Sequence, residues 1–292
     1  MLICFGGIHG NEPAGVKALD LVFKMLEVEP ITNPDFSFKG TLLGIKGNIP
    51  ALDLKRRFIH KDLNRIWTRD MIHKVMSTPS SELFSSEYRE LKRILRVLWK
   101  EINQENPDKI VFLDFHTTTA DGGIFSIVPE NEESKAIAEQ LHAPVVTGMA
   151  HGLKGTTQEY FNEVGKTRNA VGLVFESGQH DDPLSVNRAI AALINCMRTI
   201  GCITPESVEN VHDQLLTDFS KNLPKVVNLD YCHKIKKVDK FEMMPGYQNF
   251  QKVQKGEVLA KDRNGAIKAE KDGLILMPLY QRQGEDGFFI VS

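Results

Sequence analysis

Cysteine is scarce in this 292-residue chain, and its spacing offers no pairs. Cys4, Cys196, Cys202 and Cys232 are all there are, and none belongs to a C-x-x-C motif. That scatter argues against a disulfide framework and against cysteine-ligated zinc, and it predicts reduced thiols in the core. Long apolar runs are missing too: no stretch reaches the ~18 residues that a membrane helix needs. The first residues, MLICFGGIHG, have no basic start ahead of a long apolar segment, so no secretory signal is expected and the cytoplasm is the expected location. Positive charge is not in excess, with 36 Lys and Arg against 38 Asp and Glu. Nothing in that balance draws the whole chain to nucleic acid or to an anionic membrane. The G-x-S-x-G elbow, the Walker lysine motif and the G-x-G-x-x-G fingerprint are all absent, which sets aside the commonest serine-hydrolase and nucleotide-binding readings. There is no low-complexity segment and no internal repeat.

What is present is an ordinary globular composition, 41% hydrophobic and 25% charged, in a chain long enough for one large domain with or without a small one. Leu2 to Phe5 reads as a buried strand running into the turn Gly6-Gly7. Pro13 stands where a helix should begin, and Ala14 to Leu26 has helical spacing. Thr41 to Ile45 reads as a second strand. Glu87 to Asn103 is an amphipathic helix with Leu91, Ile94, Leu95, Leu98 and Ile102 on one face. Strands follow at Ile110 to Phe115, Val145-Val146 and Val171 to Phe175, with helices at Glu132 to Leu141 and Pro183 to Ile200. Strands alternating with helices predict an α/β domain with a largely parallel sheet over residues 1–205. A linker is expected over 206–224. Residues 225–292, with short apolar runs split by glycines, predict a small antiparallel β domain.

Four segments carry possible chemistry. His9-Gly10-Asn11-Glu12 follows the first strand, and open α/β sheets build their sites at the carboxyl ends of strands. His and Glu both suit zinc, and two His plus one Glu is a catalytic set that leaves room for water. The pair reads equally well as a loop histidine and an acid favoured by a helix N-terminus. His116, directly after the strand Phe112 to Phe115, reads either as a hydrogen-bonded polar residue at a strand end or as a third ligand, with Asp114 on the same face as its partner. Lys55-Arg56-Arg57 and Asp62-Leu63-Asn64-Arg65 form a charged cluster, either a solvated loop or a guanidinium fork for a carboxylate. Glu176, in Phe175-Glu176-Ser177-Gly178, ends a further strand and reads either as a general base facing the same crevice or as an acid ahead of the Pro183 helix, seven residues short of it. The other histidines (60, 73, 142, 151, 180, 212 and 233) show no paired spacing and read as surface or hydrogen-bonding residues, with His60 and His180 near the site.

Together, GGIHGNE, RRFIHKDLNR, DFHTTT and FESG resemble the succinylglutamate desuccinylase/aspartoacylase family of the wider zinc carboxypeptidase-like group. The resemblance covers about the first two hundred residues in motif order. It implies a mostly parallel central sheet flanked by helices, with a small C-terminal β domain partly covering the catalytic mouth. It implies one Zn²⁺ per chain held by His9, Glu12 and His116, with Glu176 as the catalytic carboxylate. Arg57 matches an arginine that polarises the scissile carbonyl, and Asn64 and Arg65 match a pair that binds a substrate carboxylate. Arg168 is the candidate for a further substrate-binding arginine, although it lies closer to Glu176 than in the aspartoacylase pattern. Tyr280, in MPLYQRQG, is the nearest counterpart of a family tyrosine. The run KGEVLAKDRNGAIKAEKDGLILMP resembles a biotinyl/lipoyl-type β fold, read as architecture because Lys271-Asp272 lacks a carrier context. The implied partner is a small N-acyl amino acid, of the N-acetylaspartate or N-succinylglutamate kind. Nucleic acid and membrane are not expected, and homo-oligomerisation is left open. The rivals are a metallocarboxypeptidase acting on short peptides and a zinc-dependent binding protein without catalysis.

Overall fold

The structure, a computed structural model, describes residues 1–149 and 152–292. His151, grouped above with the unremarkable histidines, lies outside the described residues. Strand β1 (Leu2–Gly6) is buried along its whole length. It pairs in parallel with β2 (Leu42–Lys46) on one side and β3 (Ile110–Thr118) on the other. Strand β3 in turn pairs in parallel with β6 (Ala170–Gln179), in register from Ile110 opposite Ala170 to His116 opposite Glu176. These strands read as continuous apolar runs because helices cover both of their faces.

Period-two alternation decides which residue meets which helix. Leu2, Cys4, Leu113, Phe115, Leu173 and Phe175 share a core with α1 (Ala14–Thr32) and α7 (Leu184–Thr199). Ile3, Phe5 and Phe112 point the other way, against α4 (Ser86–Glu105) and α6 (Thr157–Gly165). All five apolar residues expected on the face of α4 are buried there. Each such side chain contributes ~1.5–3 kcal/mol when removed from water.

The sheet continues beyond β6 through β4 (Phe125–Ile127), β5 (Val145–Thr147), β7 (Val226–Lys234), β13 (Asp286–Val291), β12 (Gly273–Leu276) and β9 (Gln251–Val253). The whole order is β2-β1-β3-β6-β4-β5-β7-β13-β12-β9. A separate antiparallel sheet is formed by β11 (Gly265–Lys268), β10 (Val258–Asp262) and β8 (Glu242–Met243).

Here the structure departs from the expected division of the chain. The segment read as a linker contains α8 (Asp213–Ser220). Leu216 of α8 is fully buried in the core shared with α7, and Asn195 donates to Asp213 at 2.6 Å. Strand β7 then pairs in parallel with β5, Val145 opposite Val226, so the C-terminal segment extends the central sheet. A common core joins Val146 and Val174 to Val227, Leu276 and Phe289. Strands β4, β5 and β9 are three residues each, too short for a periodic signal in the sequence. No helix among the described residues is long and apolar enough to cross a membrane.

Candidate active site

The loop after β1 is shaped by close approach. A side chain on Gly10 would place its Cβ 2.1 Å from the carbonyl carbon of Ala51, in the short helix α2 (Ile49–Asp53). The Gly10 N–H donates to the Arg57 carbonyl at 3.1 Å, which fixes the loop against the arginine segment. Glu12 N–H then donates to the His9 carbonyl at 3.1 Å, a turn that brings the two side chains together. From the end of β3 comes His116, and the Thr117 N–H donates to Glu12 Oε2 at 3.1 Å.

His9, Glu12 and His116 are buried, and their ligand atoms lie within 4.8 Å of one another. Each histidine is turned by an outer carboxylate: His9 Nε2 lies 3.1 Å from Asp62, and His116 Nε2 lies 3.0 Å from Asp114. With each outer nitrogen donating to its carboxylate, the inner Nδ1 atoms present lone pairs. They face Glu12 oxygens at 2.9 and 3.0 Å. Acceptors facing acceptors in a buried site require a shared cation or extra protons. Carboxylate–histidine pairs of this kind are the supporting shell of metal-binding imidazoles. The residues therefore fit a divalent ion, and the donor set fits zinc. The electrostatics agree. Burial opposes charge on Glu12, yet the two histidines hold its carboxyl well below the usual carboxylate range. Burial also pulls His116 down, but Asp114 and Glu12 outweigh it and raise it well above its ordinary value.

Arg57 donates to Asp62 through Nε at 3.0 Å and lies 3.5 Å from Glu12 through Nη1. Burial raises Asp62, but Arg57 and His9 overcome it and hold the carboxyl well down, so it stays ionised between the two. Glu176 stands at the end of β6 beside this group, 6% exposed. Its Oε2 atom has no hydrogen-bond partner. Burial pushes its carboxyl up to about 8, with His116 pulling the other way and Glu12 and Asp114 reinforcing the rise. His180 sits near Thr117, whose hydroxyl is 2.7 Å from Nδ1, and its Nε2 is also unpartnered. Burial lowers its pKa, keeping the ring neutral.

His9, Glu12, Arg57, His116, Glu176 and His180 line one cleft that opens to solvent, the concave setting in which small molecules are bound. Asn64 and Arg65 line it as expected. Two of the sequence expectations need correction. Arg168 lies ahead of β6, stacked on Trp99 and bonded to Asn103 at 3.4 Å. The strand that begins at Ala170 carries the chain ~20 Å before Glu176 is reached, so Arg168 stands at the opposite end of the sheet. Tyr280 directs its hydroxyl to the Met244 carbonyl at 2.9 Å and accepts from the Tyr247 N–H at 2.8 Å. From that segment it is the neighbours Leu279 and Gln281 that line the cleft.

Sequence reasoning assigned no role to Thr157, Gln281 or Asp286. Thr157, in the first turn of the unforeseen α6, donates to Asp114 at 2.5 Å, and its N–H donates to Asn64 at 2.9 Å. Gly155 precedes it with φ +68°, and a Cβ there would lie 2.3 Å from the Arg65 carbonyl oxygen. The Gly155 and Thr156-Thr157 turn-and-cap pattern was the signal available for that helix start. Nothing local marks Gln281, which accepts from Asn11 at 2.7 Å, or Asp286.

The profile of the succinylglutamate desuccinylase/aspartoacylase catalytic domain matches residues 1–196. A probable aspartoacylase from Nostoc sp. is 36% identical over 128 residues, 44% of this chain and 38% of that relative's length. A succinylglutamate desuccinylase from Pseudoalteromonas atlantica is 23% identical over 286 residues, 93% of this chain and 75% of the relative. Among solved structures, the succinylglutamate desuccinylase from Vibrio cholerae superposes with a TM-score of 0.66 at 20% identity, covering 100% of this chain and 80% of the other. At that identity the likeness establishes the mixed α/β fold.

Proposed function

The chain belongs to the succinylglutamate desuccinylase/aspartoacylase family, and from that premise we propose that it hydrolyses the amide bond of an N-acyl amino acid. The observation that carries this reading is the pair of histidines, each turned by a carboxylate toward Glu12, with the unpartnered Glu176 oxygen beside them. His9, Glu12 and His116 would hold zinc, which when bound supplies a Lewis acid for the carbonyl and lowers the pKa of water toward ~7.

The chain's own groups do the rest. Glu176 takes the proton of the attacking water and returns it to the amine nitrogen as the C–N bond breaks. A carboxylic acid and a free amino acid leave. Arg57, anchored by Asp62, holds the carbonyl oxygen as negative charge builds on it. Asn64 and Arg65 orient the substrate's carboxylate. Met277, Leu279 and Gln281 wall the cleft, which favours a small substrate over a peptide chain.

The test is amine release from a panel of N-acetyl and N-succinyl amino acids and short peptides, using zinc-loaded protein and a chelator-treated control. Chelator-sensitive release from an N-acyl amino acid supports the proposal. Release confined to the peptides turns the reading to a metallocarboxypeptidase. Absence of any release, from protein that holds its metal, rejects both in favour of a binding protein.

A further inference from the structure

Arg65 has a partner already. Its Nη2 donates to Asp286 Oδ2 at 2.5 Å, and its Nη1 donates to the Asn64 carbonyl at 2.7 Å. Asp286 opens β13 and is 8% exposed. Its second oxygen accepts from Lys234 Nζ at 2.5 Å, with the Cys232 thiol at 3.6 Å. Lys234 stands directly opposite on β7, so sheet register holds this pairing in place. At the rim, Glu285 brings a second carboxylate 3.9 Å from Arg65 Nε. The group of Arg65, Lys234, Asp286 and Glu285 therefore sums to zero charge.

The other guanidinium in the cleft is also engaged, since Arg57 donates to Asp62 at 3.0 Å. Among the described residues that line the cleft, Arg57 and Arg65 are the only Lys or Arg side chains, and each has a carboxylate partner. His180 adds no charge, because burial keeps it neutral. Much of the remaining wall is apolar, formed by Ile127, Leu153, Val174, Met277, Leu279 and Phe289. Arg65 still has N–H groups to spare for one carboxylate. A second carboxylate, on the amino-acid side chain or at the end of the acyl group, would be desolvated next to Asp286 and Glu285 with no free cation to receive it, which is costly.

We propose that Asp286 determines substrate specificity: by neutralising Arg65 it admits N-acyl amino acids with one carboxylate and uncharged side and acyl chains, and it rejects N-acyl dicarboxylates. This rests on the deacylase reading above and narrows it, away from N-acetylaspartate and N-succinylglutamate. Discrimination comes from the repulsive group as much as from the apolar wall.

The experiment compares zinc-loaded wild type with Asp286→Asn, which keeps the shape and removes the charge. Values of kcat/KM are measured for N-acetyl-leucine, N-acetyl-methionine, N-acetylaspartate and N-succinylglutamate, with zinc content and thermal unfolding confirming that the variant is folded. The expected result is a wild-type preference of about tenfold or more for the neutral substrates, and a shift of about tenfold toward the acidic ones in the variant. A wild-type preference for acidic substrates overturns the proposal. So does a uniform loss across the panel, which is what a residue that merely props Arg65 would produce. In parallel, leucine and aspartate are titrated into both proteins by calorimetry. If wild type turns over no N-acyl substrate, the deacylase reading falls, and the titrations still judge Asp286. Tighter leucine than aspartate in wild type, narrowed in the variant, upholds its role, and an unchanged ratio rejects it.

Discussion

Glu176 is buried among charged groups with one oxygen free of hydrogen bonds, an arrangement that costs stability and is the kind that active sites retain for their chemistry. Replacing it with glutamine should leave zinc content unchanged and lower kcat by ~10²–10⁴-fold, the usual contribution of a general base. Turnover near the wild-type rate, with metal present, would remove Glu176 from the mechanism. The same residue gives the chelator-treated protein a pH signature. Burial raises its carboxyl from 4.5 to about 8, so the folded chain keeps a proton that the unfolded chain releases. The stability this proton contributes is complete below the unfolded value and drains away as pH rises through the folded one. Glu176→Gln abolishes that titration. Its melting temperature relative to wild type should therefore climb between pH 5 and pH 9, by on the order of 5 °C. Parallel melting curves for the two proteins over that range would show that Glu176 is charged throughout.

At the scale of elements, the site depends on three strand ends and on how tightly loops pack between them. The loop carrying His9 and Glu12 can sit on α2 only because residue 10 has no side chain. Gly10→Ala should push the loop from Ala51, costing ~1–3 kcal/mol and weakening zinc binding together with stability. Calorimetric unfolding and metal titration would check this, and a variant with both properties intact would show that the loop has slack. The helix α4 was readable from its long apolar period, and the strands β1, β3 and β6 from their unbroken apolar runs. The helix α6 was not, although its first turn supports both Asp114 and Asn64. Its nine residues make little more than two turns, and they follow a Gly-rich segment of the sequence.

For the whole molecule, the central sheet does not stop where the sequence texture changes. Strand β7 adds to β5, and β13 adds to β7, so the C-terminal residues complete a core that begins in the first domain-sized stretch. A chain cut after residue 205 should leave β5 as an open edge with Val146 and Val174 exposed, and it should aggregate or lack fixed tertiary packing. Near-ultraviolet circular dichroism and solubility of that fragment provide the check. A folded, metal-binding fragment would mean that the expected separation at 206–224 is real.

Local pattern was enough to read the largely parallel α/β core and to put His9, Glu12, His116 and Glu176 at strand ends, while their expected roles came only from the resemblance of the four segments taken together. Side-chain direction follows from the backbone repeat, and a short apolar run bounded by turn residues marks a buried strand and its end. Tertiary structure alone decided the partners. Asp62 reaches His9 across 53 positions, and Asp286 reaches Arg65 across 221. It also decided that Arg168, close to Glu176 in sequence, stands at the far end of the same strand. Those contacts are set by the order and register of strands in the sheet, and no periodicity within a segment encodes which distant segment will lie beside it.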